Sequence, residues 1–379
     1  MKIAIEAMGI QNFGGGRSSI LNLLQSLFAI DRENEYLVIL SRPEAALTSP
    51  GGNVRQWIAP TTNRFAARIW AQAAFPIQLR GYDLVHFTKN LGVWGLPMPY
   101  VVTIHDLTIL VYPQFSPKSD VIYWRTLEKW TVRSAGRVIA VSQCTARDVQ
   151  TYYGIPPEKI RTIYHGKAAA FYPRPAAEIE AVRQRYGLPQ NYLITVGRID
   201  LKKNLPALVE AFGMVKQATG YAGKLVLVGE VYKKCEDKNL LPTIQRLGLE
   251  KDVLLVGKIP DADLPAVYCG ALACAFPSLH EGFGLAALEA MGCGIPVITN
   301  NTSAVTEVTG EAGISVDAGR PQALAGALQA VIQDAGLRQE LGRRGLRQAE
   351  QFSWERAARQ TLAVYQETAR AQATPQVRL

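Results

Sequence analysis

Two short stretches carry residue types that together can handle a charged, hydroxyl-rich ligand. Glu281-Gly-Phe-Gly-Leu-Ala-Ala-Leu-Glu289 sets two carboxylates eight positions apart around a glycine-flanked turn, and Gly197-Arg198-Ile-Asp-Leu-Lys-Lys203-Asn204 sets two separated cations behind an apolar run. Ionised carboxylates accept hydrogen bonds from sugar and ribose hydroxyls. Arginine answers a phosphate with a planar fork and lysine with a point charge. A nucleotide-sugar is the ligand that asks for all of these at once.

The elements around these residues decide whether they can act together. Gly282-Phe283-Gly284 reads as a loop and Leu285–Met291 as the first turns of a helix. Glu289 then lies about 7 Å along the helix axis at 1.5 Å per residue. The two carboxylates are thus too far apart to grip one atom and suit the two ends of an elongated ligand, Glu281 at a sugar and Glu289 at a ribose. Between them the N–H groups of Gly284 and Leu285 open the helix and attract an anion. Tyr192-Leu-Ile-Thr-Val-Gly197 reads as a buried parallel strand. Arg198 and Lys203 follow it, on the side where open parallel sheets bind ligands. Lys202 is expected to be the solvated neighbour.

Strands alternate with helical segments along the chain, the doubly wound pattern. The clearest strands of the first half lie near Lys2–Ala7, Tyr36–Leu40, Leu84–Phe87, Tyr100–Ile104 and Arg137–Val141. Those of the second lie near Leu193–Val196, Lys224–Val228, Val253–Val256, Leu272–Phe276 and Pro296–Thr299. With 379 residues, 48% of them hydrophobic, the chain exceeds one ordinary domain and can bury two cores. The polar, proline-bearing Phe171–Pro189 segment is the expected hinge. Five cysteines (Cys144, Cys235, Cys269, Cys274, Cys293) show no metal-type spacing, and their odd number without a secretory signal suggests reduced thiols. Met-Lys-Ile-Ala-Ile-Glu is a first strand rather than a leader, and no apolar run reaches the roughly 20 residues a membrane span needs.

The net charge of +9 is uneven. Residues 1–185 hold 21 Lys+Arg against 13 Asp+Glu, or +8, and residues 186–379 hold 20 against 19, or +1. Arg64, Arg68 and Trp70 share an apolar segment running to Arg80. Arg125, Lys129 and Arg133 recur every four residues beside Trp124 and Trp130, which places them on one helix face. Such faces suit an anionic bilayer surface; equally, they suit amphipathic helices with solvated outer sides. No nucleic-acid-binding module is present.

Two patterns mislead. Gly14-Gly15-Gly16-Arg-Ser-Ser19 follows a strand and precedes a helix, but Ser19 stands where a dinucleotide fingerprint needs glycine. A permissive loop approaching phosphate or sugar fits better. Asp261-Ala-Asp263 looks like a metal-binding pair, yet it precedes a helix, so Asp261 reads as an N-cap. His105 follows the strand Val101–Ile104 and faces the expected cleft. His86 ends another strand, and with Asn90 is a candidate for an acceptor side. His165 and His280 flank turns, and His280 shapes the loop presenting Glu281.

Taken in order, these motifs resemble the retaining glycosyltransferases of family 4. The resemblance rests on Glu281 with Glu289, Gly197-Arg198 with Lys203, Thr103-Ile-His105-Asp106, Val138-Ile-Ala-Val-Ser142, Gly14-Gly15-Gly16 and Glu307-Val-Thr-Gly-Glu-Ala-Gly313, and it covers nearly the whole chain. It implies an α/β GT-B fold of two Rossmann-like doubly wound parallel-sheet domains facing a central cleft. An acceptor-binding domain over 1–175, a nucleotide-sugar-binding domain over 176–354 and, over 355–379, a helix crossing back to the first and a tail frayed from Ala371 on are expected. The implied function is retaining, metal-independent hexosyl transfer from a UDP-hexose or GDP-mannose to a glycan or lipid-linked glycan. No cofactor and no nucleic acid are implied. The expected location is cytoplasmic, peripheral on the inner face of the membrane at most, through the basic N-terminal domain.

The implied roles are His105 beside the reacting carbon; Arg198, Lys203, Gly284 and Leu285 on the diphosphate; Glu281 on the sugar; and Glu289 on the ribose. Gly15, Gly16, Gly282 and Phe283 line the donor, and Ile259 meets the base. Asn300-Asn-Thr-Ser-Ala-Val-Thr-Glu307 replaces the family's usual glycine pair, and Tyr164-His-Gly166 its asparagine-glycine. His105-Asp-Leu-Thr-Ile-Leu-Val-Tyr-Pro113 looks like polysaccharide-building members, many of them mannosyltransferases. A nucleotide-sugar 2-epimerase, a sugar phosphorylase or a non-catalytic sugar-nucleotide binder on the same fold are the alternatives.

Overall fold

A computed structural model describes residues 1–11, 15–49, 51–89 and 92–373; Gly14 and Asn90 lie outside them. The chain divides into two compact units. Unit 1 comprises Met1–Pro113, Pro117–Gly166 and the chain from Ser353 on; unit 2 comprises Gln114–Ser116 and Lys167–Phe352.

Unit 1 is built on seven parallel strands: β1 (Lys2–Glu6), β2 (Glu35–Leu40), β3 (Val54–Ile58), β4 (Leu84–Phe87), β5 (Tyr100–Ile104), β6 (Arg137–Ala140) and β7 (Ile160–Thr162), in spatial order β3-β2-β1-β4-β5-β6-β7. The central strands are apolar throughout because helices cover both sheet faces; every residue of β4 and β5 is buried. Ile3 pairs Leu84 and Ile5 pairs His86, so chain order reverses between β1 and β4. The crossovers β3→β4 and β5→β6 run one way along the sheet and β1→β2 the other, so right-handed connections put their helices on opposite faces. Helix Gly15–Ile30 packs against helix Trp354–Ala373 on one face. Trp354–Ala373 also retains Ala371–Ala373, where fraying was expected.

Unit 2 repeats the plan with β8 (Tyr192–Val196), β9 (Lys224–Val228), β10 (Val253–Gly257), β11 (Ala273–Phe276), β12 (Val297–Asn300) and β13 (Ile314–Val316), ordered β10-β9-β8-β11-β12-β13, all parallel. The order reverses between β8 and β11. One core gathers Leu193, Leu225, Leu227 and Ile298 from the sheet with Leu208, Phe212, Leu324 and Leu328 from helices Leu205–Thr219 and Pro321–Gln333. Fully burying each such side chain contributes about 1.5–3 kcal/mol. Two doubly wound parallel sheets are the fold class the sequence led us to expect. No helix among the described residues is long and apolar enough to cross a membrane.

Candidate functional site

The reversal point of unit 2 brings the two chemical stretches together. Gly197 and Arg198 leave the carboxyl end of β8, while Ser278–Glu281 leave the neighbouring β11. Lys203, in the 3-10 turn Leu201–Lys203, places its Nζ 2.5 Å from Glu281 Oε1. Lys202 Nζ stands 3.7 Å from Glu281 Oε2. The Lys202 side chain is only 14% exposed, which corrects its expected solvation: the turn directs both lysines at one carboxylate. The Lys202 carbonyl in turn accepts the Leu279 N–H at 2.8 Å, tying the two loops together. Burial would raise the Glu281 carboxyl, but the charges of Lys203 and Lys202 outweigh it and hold it at about 2. Glu281 is therefore ionised at neutral pH.

Arg198 is less committed. Its side chain is 54% exposed, its Nε lies 3.9 Å from Asp200 Oδ2, and its guanidinium sits 4.5 Å over the Tyr232 ring. Asp200, which the sequence reading passed over, is buried, and that burial raises its carboxyl. The β8 and β9 ends approach so closely that a Cβ on Gly229 would lie 1.8 Å from the Gly197 carbonyl oxygen.

Helix Leu285–Gly292 begins where expected. Gly284, ahead of it, takes φ +105°, a left-handed conformation that favours glycine, and a Cβ there would crowd Val305 at 3.2 Å. The first N–H groups of the helix have no intrahelical partner by geometry. Glu289 sits one turn in, and burial first, then the nearby Asp261 charge, raise its carboxyl to about 8. The two carboxyls of the motif are thus opposite in state, Glu281 ionised and Glu289 protonated at neutral pH. Gly282 and Phe283 are buried, Phe283 against Phe352 with ring centroids 5.8 Å apart. The Ile259 side chain is buried as well. Asp261 is not an N-cap: Asp263 holds that position before helix Leu264–Cys269 and makes no capping bond, because its carboxylate accepts from Arg185 and Tyr186 instead.

In unit 1 the carboxyl ends of β1, β4 and β5 carry a second polar group. His105 is half-buried; its Nε2–H donates to the Thr88 carbonyl at 2.8 Å, which leaves Nδ1 the lone-pair nitrogen. Burial lowers it to about 4, so the ring is neutral. The His165 ring lies 5.4 Å from it and the Trp354 ring 5.1 Å beyond, so the histidine of Tyr164-His-Gly166 joins this cluster. Glu6, overlooked as the end of an apolar strand, is buried, accepts the Met8 N–H at 2.8 Å and is raised to about 7 by burial. Gly15 and Gly16 form the first turn of their helix, and a Cβ on Gly16 would lie 3.2 Å from the Lys89 ammonium. His86 is fully buried, Nδ1 2.7 Å from Tyr365 Oη and Nε2 2.8 Å from Thr103 Oγ1. Both its nitrogens are engaged in the core, so it offers none to an acceptor.

Known proteins resemble this chain in sequence and fold. The model of the glycosyl transferases group 1 matches residues 178–348, and that of glycosyltransferase family 4 matches residues 13–167. O-antigen chain mannosyltransferase B of Escherichia coli is 33% identical over 289 residues, 76% of this chain and 75% of that one. The serotype-specific mannosyltransferase WbdA of Escherichia coli is 26% identical over 92% of this chain, which spans 45% of WbdA. Among solved structures, sucrose-phosphate synthase from Thermosynechococcus elongatus superposes with a TM-score of 0.79 at 23% identity, covering 98% of this chain and 99% of that one. Anabaena HepE in complex with UDP and glucose gives 0.77 at 22%, covering 97% and 100%. These likenesses carry the fold, and the fold is GT-B.

Proposed function

The chain belongs to the family 4 (group 1) glycosyltransferases, and on that footing we propose that it moves a hexose, with retention, from a nucleotide-diphosphate sugar to a glycan or lipid-linked glycan during polysaccharide synthesis. The observation that carries the reading is the Lys203–Glu281 pair beside Arg198 at the reversal point of unit 2. Unit 2 takes the donor: Glu281 accepts from hydroxyls of the transferred sugar, Glu289 from the ribose diol, and backbone around the buried Ile259 meets the base. Unit 1 takes the acceptor, with the neutral His105 ring among its polar groups. The mannosyltransferase relatives support mannose as the sugar moved, which makes GDP-mannose the first donor to test beside a UDP-hexose.

In the transfer step the bond from the anomeric carbon to the diphosphate breaks, and its electron pair stays on the phosphate oxygen. The acceptor hydroxyl oxygen forms the new bond on the same face and gives its proton to that leaving oxygen. Arg198, Lys203 and the helix N-terminus at Leu285 stabilise the growing charge in place, so no divalent cation is needed. The test is product analysis with GDP-mannose and UDP-glucose, each with and without chelator, with the anomeric configuration read by NMR. Retained α-linked product from one donor, undiminished by chelator, is expected. Turnover without an acceptor, or inverted product, would overturn the reading.

A further inference from the structure

Unit 2 holds a pair of thiols that the donor site does not use. Cys269 is the last residue of helix Leu264–Cys269. Cys293 caps the far end of helix Leu285–Gly292, where its N–H donates to the Glu289 carbonyl at 3.0 Å. The two helices pack together, and the two thiols are in hydrogen-bonding contact. Cys269 Sγ also lies 3.7 Å from the Cys293 carbonyl oxygen and accepts the Arg174 N–H at 3.3 Å. Cys269 is half-buried and Cys293 is 3% exposed, so a reagent from solution meets Cys269 first.

Their surroundings give the two thiols different tasks. The hydrogen bond from the Cys293 thiol, with the Arg174 N–H and charge behind it, outweighs burial and holds the Cys269 thiol below its ordinary value. The same hydrogen bond, then burial, pushes the Cys293 thiol up. The thiolate is the attacking species, so Cys269 is the nucleophile and Cys293 the protonated neighbour beside it. An accessible thiol of thiolate character next to a resolving thiol is the arrangement of an oxidation-sensitive pair. Cys274, on β11, differs: it is fully buried, and burial first, then the Glu289 carboxyl, raises its thiol and suppresses the thiolate. The pair also borders the helix of the donor site. The Glu289 carboxyl is close enough to act on the Cys293 thiol, and Tyr268, which precedes Cys269, is buried beside Glu289.

We propose that Cys269 and Cys293 form a peroxide-sensitive pair, in which Cys269 is oxidised and Cys293 closes a disulfide between the two helices. The Cys269 thiolate attacks one oxygen of hydrogen peroxide, the O–O bond breaks, and the hydroxide that leaves takes up a proton as water. Cys293 then attacks the sulfur of the sulfenic acid so formed, the S–O bond breaks, and a second hydroxide leaves with the Cys293 proton as water. Two thiols are oxidised to one disulfide and the peroxide is reduced to water. The new bond pulls on the end of the helix that carries Glu289. Nucleotide-sugar should therefore bind the disulfide form at least about fivefold more weakly, a consequence that rests on the donor reading of unit 2.

The whole reduced chain is treated with hydrogen peroxide, alkylated with iodoacetamide and digested. Chymotrypsin cuts at Leu272, between Cys269 and Cys274, and glutamyl endopeptidase at Glu281, between Cys274 and Cys293. Mass spectrometry should find the Cys269 and Cys293 peptides joined, and parted again by dithiothreitol. Cys293→Ser should stop at a Cys269 sulfenic acid trapped by dimedone, and Cys269→Ser should leave Cys293 reduced. Wild-type Cys269 that remains alkylated, or oxidation that falls on Cys235 ahead of it, would overturn the pair without any variant having to fold. Equal nucleotide-sugar affinity in the reduced and disulfide forms would overturn the coupling. Binding by neither form would contradict the donor reading and the coupling with it, while the peptide masses still decide the pair.

Discussion

Donor binding should release a proton, and Glu289 should be its source. Its carboxyl stands near 8 through burial and the Asp261 charge, so about nine in ten molecules are protonated there at pH 7. A ribose diol donates two hydrogen bonds best to the ionised form. If these bonds return the carboxyl to its ordinary range near 4.3, binding at pH 7 releases about 0.9 proton. Affinity then rises about tenfold per pH unit up to 8, which is about 1.4 kcal/mol per unit, and levels above it. The intact nucleotide-sugar is the proper probe, because its doubly esterified diphosphate has no ionisation near neutrality. Calorimetry at pH 7 in buffers of different ionisation enthalpy reads the proton directly. Glu289→Gln should abolish the release and weaken binding at pH 8.5 by about tenfold to a hundredfold, the loss of hydrogen bonds to a charged group. Equal proton release in both proteins, or an affinity flat from pH 6 to 8 in the wild type, would refute the assignment.

Other perturbations rest on the same electrostatics. Lys203→Ala leaves the half-buried Glu281 with Lys202, at 3.7 Å, as its remaining nearby cation, so urea unfolding at pH 7 should show a loss of about 3 kcal/mol. It should also remove an acid sensitivity: Glu281, held at about 2, contributes stability present above its unfolded value and lost as pH falls from about 4.5 to 2. Arg198→Ala, at an exposed side chain, should leave the melting temperature within a degree or two (a change of about 0.5 kcal/mol at most) while lowering kcat about 100-fold, measured by steady-state transfer. Glu128, raised to about 8, binds its proton more tightly when folded, so its contribution is full below about 4.5 and is lost as pH rises through 8. His86 and His105, lowered to about 3 and 4, act only below about 6.5 and in the opposite sense. Glu289 and Glu6, raised to about 8 and about 7, act in the same sense as Glu128, so the difference between wild type and Glu128→Gln is what reads this acid: the variant should lack about 2 kcal/mol of the fall in stability between pH 6.5 and 8, read from melting curves.

The central strands were legible because a buried parallel strand is a continuous apolar run; β4, β5 and β9 lie at the expected residues. The edges were not. Val54-Arg-Gln-Trp-Ile58 is partly exposed and carries polar residues, while Ile160–Thr162 and Ile314–Val316 are three residues long, too short for a periodicity to register. The helix at Leu285 was legible from its glycine. That Lys202 and Lys203 converge on Glu281 was not, because the contact spans 78 residues and depends on β8 and β11 being neighbours. Nor could spacing show that the two glutamates differ in charge, since the lysines that ionise one and the burial that neutralises the other come from elsewhere in the fold.

The most direct test of the central claim is the rate of sugar transfer by Glu281→Gln against the wild type, with nucleoside-diphosphate binding measured alongside. If Glu281 grips the moving sugar while Arg198 and Lys203 hold the diphosphate, kcat falls about 100-fold or more, with diphosphate affinity changed by less than about tenfold. Transfer at the wild-type rate would contradict it and remove Glu281 from the site.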